Sequence, residues 1–167
     1  MRYGPICGGA FIACVAVARV DAPAKPRCDH VLDATVPDDT NVDQPVAFET
    51  GRTKMGTFDR IEITEVQGTT SHFAVGEDYL VRGEYTLESS DEAIITFTVT
   101  ASRSGEGCTT NNPRGRIKIK RGAGKFELVG PILYAGFPHI WFDLTGRNVG
   151  GSDTEGVYFG KGDFLLR

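Results

Sequence analysis

The chain's only tryptophan stands in GFPHIWFDLTG, Gly136 to Gly146, among side chains that could grip a ligand. Side chains along a strand alternate between its two faces. That alternation turns Ile140, Phe142 and Leu144 one way, and His139, Trp141 and Asp143 the other. A flat ring on an open sheet face can stack on a sugar ring, and the indole adds an N–H handle. His139 and Asp143 would hydrogen-bond the sugar hydroxyls. Tyr134, Phe137, Tyr158 and the loop Asn148 to Asp153 could extend the platform. The competing reading buries this face under a loop or the N-terminal arm and makes Trp141 a core residue.

Other chemistry finds little footing. There is no GxSxG elbow, HExxH pair, P-loop or dinucleotide fingerprint. His30, His72 and His139 stand singly, and no CxxC or Cys/His cluster suggests a metal, so neither metal nor cofactor is expected. Glu62 and Glu65 are oddly spaced, which on a regular strand sends them to opposite faces and denies a glycosidase carboxylate pair. Asp38, Asp39, Asn41 and Asp43 cluster without the spacing of a calcium loop and read as a solvated acidic linker. Arg114, Arg116, Lys118, Lys120 and Arg121, with Lys125 nearby, form a basic ridge. Such a ridge could hold an acidic polysaccharide, or simply guard an edge strand against aggregation. A formal charge of -4 and the lack of interleaved aromatics exclude nucleic acid as the expected partner.

The elements that must position these groups are strands. Two-residue alternation runs through FDRIEITEV, where Ile61 and Ile63 share a face. It continues in YLVRGEYTL, with Tyr79, Val81, Tyr85 and Leu87 opposite Leu80, Arg82, Glu84 and Thr86. EAIITFTVTA sets Ala93, Ile95, Phe97 and Val99 on one side, and RGRIKIKR sets Ile117 and Ile119 between cations. KFELVGPI, PHIWFDL, GVYFG and FLLR follow, with turn formers such as ESSDE, RGAG and RNVGGSDTEG between segments. No helical periodicity of useful length interrupts them. About eight or nine short strands with regular punctuation predict an all-β fold, an antiparallel sandwich of jelly-roll type.

The first 57 residues differ. Arg2, the apolar run Ile6 to Ala18 and the AVA ending at Ala18 predict a signal peptide over residues 1–18. FIAC, Phe11 to Cys14, offers Cys14 as an alternative site of lipid attachment. The turn-rich stretch 19–57 reads as a mostly irregular arm with a short strand at PVAFET, and 58–167 as the domain. Removing the leader leaves Cys28 and Cys108, an even pair that predicts a disulfide in an exported chain. No transmembrane helix remains in the mature chain.

From DRIEITEVQG (Asp59 to Gly68) through RGAGKFELVGPI and GFPHIWFDL to GVYFGKGDFLLR, the sequence resembles an uncharacterised bacterial β-rich module of exported proteins. That resemblance spans roughly residues 59–167, implies no known activity and transfers no functional residue. The outline is also similar to jelly-roll carbohydrate-binding modules. The expectation is therefore a non-catalytic binding module of the periplasm, cell envelope or extracellular space. Its partner would be a polysaccharide or an envelope protein. A structural or protein–protein module, and a hydrolase with a loop-assembled site, are the alternatives.

Overall fold

The computed structural model describes residues 32–33, 35–103, 110–144 and 155–167. The predicted leader, all four cysteines, His30 and the loop Asn148 to Asp153 lie outside the described residues. Nine strands follow in chain order: β1 (Leu32–Asp33), β2 (Gln44–Pro45), β3 (Glu49–Lys54), β4 (Arg60–Gly68), β5 (Asp78–Ala101), β6 (Thr110–Asn111), β7 (Arg116–Pro131), β8 (Gly136–Asp143) and β9 (Glu155–Gly160). Among the described residues helix is confined to single 3-10 turns at Pro113–Gly115 and Gly162–Phe164. The fold is all-β, as the periodicity predicts.

Seven strands make one antiparallel sheet in the order β2-β4-β5-β8-β9-β3, with β7 also paired to β5. β1 and β6 form a separate parallel ladder, Leu32 opposite Thr110. β5 has 24 residues and β7 has 16, so segments that read as separate short strands are continuous. The turn-like ESSDE is a bulge, where the β5–β7 register shifts between Leu87 and Glu92. Asp59 explains why the chain stays extended there. Its buried carboxylate accepts from the amides of Glu88 (2.7 Å) and Ser89 (3.0 Å) and from the Ser89 hydroxyl. The bulge's amides are satisfied without a reverse turn.

β7 follows β5 on both sides of this bulge, while β4 pairs with the first half of β5 and β8 with the second. The sheet thereby curls around one core. Ile61, Val66, Val81 and Leu87 come from the first half, and Ile95, Phe97, Ile140, Phe142 and Phe159 from the second, in a single cluster. Each such side chain contributes on the order of 1.5–3 kcal/mol when fully buried. Phe73 stacks on Tyr79 at 5.2 Å, and the Tyr79 hydroxyl donates to the His72 carbonyl at 3.0 Å. That contact closes one end of the core.

The arm contributes more than an irregular linker. β2 pairs with β4 and β3 with β9. Val46 is buried, and Phe48 meets Phe159 edge-on at 6.5 Å. On the outward side, Val36 covers Leu80 and Val129. Arg114 holds this segment by donating to the carbonyls of Val36 (3.3 Å) and Pro37 (3.0 Å) and pairing with Asp38. The sequence suggests one short strand at PVAFET, whereas two strands overlap its ends, because turn-rich composition says nothing about pairing with partners far along the chain.

One face assignment is overturned. β4 carries a bulge between Ile63 and Glu65, so Ile63 and Val66 are both buried although three residues apart. Glu62 and Glu65 therefore share the outward face rather than opposing ones. Glu65 is engaged with Arg82 at 3.1 Å, and Arg82 also holds Glu127 at 2.8 Å.

Candidate functional site

β8 alternates as its sequence predicts. Ile140 and Phe142 are fully buried, with Leu144 just beyond, while Phe137, His139, Trp141 and Asp143 stand half-buried on the outward face. The neighbouring strand presents hydroxyls to them. Thr100 lies opposite Phe137, Thr98 opposite His139 and Thr96 opposite Trp141. On the other side Tyr158 of β9 lies opposite His139, and Gly156 opposite Trp141. A methyl group added at Gly156 would come within 2.8 Å of Trp141 Cβ, so the glycine leaves the indole room against the sheet.

His139 sits at the centre. Its ring stacks on Tyr158 with centroids 4.7 Å apart and 28° between planes. Nδ1 lies 3.4 Å from the Phe137 carbonyl, which can only accept, so that nitrogen carries the proton. Nε2 is then the acceptor for the Thr98 hydroxyl at 3.0 Å. Thr100 Oγ1 links the group to the Tyr158 hydroxyl at 3.2 Å. Burial pushes the imidazole from 6.5 down to about 4, against the upward pull of the Phe137 hydrogen bond. The ring is neutral at neutral pH.

Two polar atoms remain unused. Thr96 is 8% exposed, and neither its Oγ1 nor the Trp141 Nε1 across from it has a hydrogen-bond partner among the described residues. A buried donor and hydroxyl left unpaired cost roughly 1–3 kcal/mol each.

The other predicted residues distribute unevenly. Tyr158 joins His139 directly, and Asp143 lies on the same face, opposite Ile94. Tyr134 does not join: its hydroxyl donates to the Val99 carbonyl at 2.6 Å, and it lines a small separate hollow with Asn112 and Leu133. The threonine row was not among the site candidates, although the two-residue period of TFTVT places Thr96, Thr98 and Thr100 on one face. Three cations of the basic ridge are paired, Lys118 with Glu92 (2.8 Å), Arg121 with Asp91 (3.2 Å) and Arg114 with Asp38 (3.5 Å). Among the described residues no group of three metal-ligating side chains comes together, and no helix is long and apolar enough to cross a membrane.

No protein-family model, curated protein or solved structure matches this chain. Its function has to be argued from the site itself.

Proposed function

We propose that the protein is a non-catalytic binding module of the cell envelope or periplasm that takes a polysaccharide on the outward face of β8. The observation that carries this reading is the assembly of Trp141, His139, Tyr158 and the threonine row on one side of one strand group. Rings supply stacking area, and the threonine and Tyr158 hydroxyls supply hydrogen bonds without a net charge. That chemistry suits a neutral glycan better than an acidic one. Asp143 adds an acceptor at the margin. The curled sheet serves as a sandwich of jelly-roll outline, its two halves acting as the layers.

Export with removal of residues 1–18 belongs to the same proposal, as does a Cys28–Cys108 bridge. The resemblance to exported β-rich modules points the same way.

Intrinsic fluorescence tests the site, because Trp141 is the only tryptophan. Titrating neutral and acidic polysaccharides should quench or shift its emission with one neutral class, and W141A should abolish binding. Emission that is blue-shifted and unmoved by every glycan and by acrylamide refutes the platform. A second reading, a protein–protein module, draws on β7, which among the described residues pairs only with β5 and leaves an edge for a partner strand.

A further inference from the structure

A second concavity lies on the outward face of the first half of the sheet, away from Trp141. It is a groove of about 310 Å³ formed across three adjacent strands, β4, β5 and β7. Its origin is a row of small side chains. Thr86 pairs with Ala123 on one side and Arg60 on the other, and Gly124 follows. Tyr85, opposite Ile61, turns its ring to the core side, where a methyl added at Gly124 would fall 2.7 Å from its hydroxyl. Small groups bordered by long charged ones leave a hollow on a sheet that would otherwise be level.

The charges around the hollow are of both signs. Glu62 and Glu84 are directly opposite partners, with Lys125 on the far side of Glu84 in the same row. Side chains so placed have Cβ atoms about 4.5–5.5 Å apart, and like charges there repel. Arg60 neutralises Glu62, while Lys125 reaches Glu84 only at 3.7 Å. All four are largely exposed, with Glu62 at 51% and Glu84 at 58% of full side-chain exposure. Exposed pairs of this kind contribute little to stability, so a guest can exchange its own charges for theirs at small cost.

We infer that this groove binds a small zwitterion of about one sugar ring in size. Its ammonium group would sit between Glu62 and Glu84, and its anionic group would meet Arg60 or Lys125. The ammonium relieves the opposed carboxylates and frees both cations for the anion. The volume matches the small end of ligand pockets. A neutral sugar would leave the charges idle, and a simple anion would meet two carboxylates. This site is independent of the Trp141 face and stands or falls without it.

The test is a two-dimensional amide NMR titration of the isotope-labelled chain with three probes. They are glucosamine 6-phosphate, its N-acetylated analogue, which lacks the cation, and glucose 6-phosphate. The zwitterion should shift the amides of Glu84 to Thr86 and Ala123 to Lys125, and bind at least about tenfold more tightly than either analogue. E84Q should lose about tenfold in affinity while keeping a native spectrum. E127Q, on the same face outside the groove, should bind as wild type does. Equal affinity for all three probes, shifts confined to other residues, no shifts at all, or an E84Q protein that binds normally would each overturn the assignment.

Discussion

Acidification should weaken this fold through His139 before it touches most carboxylates. The imidazole is held neutral by burial, with its pKa taken from 6.5 to about 4. A base whose folded pKa is depressed contributes stability that is complete above 6.5 and is lost as pH falls from 6.5 to about 4, with no further loss below. The reason is that the unfolded chain takes up a proton that the folded one refuses. At about pH 5 the unfolded histidine is almost wholly charged and the folded one only about a tenth so. The linkage then removes about 2 kcal/mol relative to pH 8, at about 1.36 kcal/mol per pKa unit. Urea unfolding of wild type and H139Q at both pH values isolates the effect, because every other titration cancels in the difference. H139Q should retain about 2 kcal/mol more of its pH 8 stability at pH 5 than wild type does. Equal losses in the two proteins, or an NMR titration placing His139 near 6.5, would refute the argument that this face is desolvated.

Further outcomes follow from the same geometry. D59A leaves two bulge amides without acceptors and should cost about 2–3 kcal/mol at neutral pH by urea unfolding. Burial alone would raise the Asp59 carboxyl, but hydrogen bonds from the Ser89 side chain and the Glu88 and Ser89 amides, and one with Glu155, hold it below 3.8. Its contribution is therefore present above that value and should vanish only as pH falls below it. G83A should destabilise by roughly 1–3 kcal/mol or more, because its methyl would strike the Glu62 carbonyl and come within 2.5 Å of the Phe126 ring. T96V removes a buried hydroxyl without a partner and should be neutral or stabilising by up to about 1 kcal/mol, read as a rise in Tm.

The inward and outward faces were legible wherever the chain is regular, because burial on one side imposes a two-residue period on any strand. Tyr79, Val81 and Leu87 point inward as their spacing requires, and so do Ile140 and Phe142. What the local pattern could not carry was pairing. The contact between His139 and Tyr158 depends on the register of β8 against β9, set by residues outside the motif. The bulges defeated the pattern for a related reason. ESSDE has the composition of a turn, yet an aspartate 29 residues earlier satisfies its backbone. Glu62 and Glu65 changed sides because one extra residue in β4 shifts the alternation. Nothing in the spelling of Asp59 marks it as buried, since an aspartate is ordinarily a surface residue.

The unbroken β5–β7 ribbon has a mechanical consequence. Because the same two strands belong to both halves of the sheet, neither half can melt and leave the other with intact partners. Loss of the first half strips Asp59 from the bulge and frays the ribbon on which β8 rests; loss of the second unseats β9 and, with it, β3. Amide hydrogens on either side of residues 88–91 should accordingly exchange through one common opening, with similar free energies. A nick or insertion in this bulge would reach both faces at once, so the Trp141 face and the charged groove share a single breaking point.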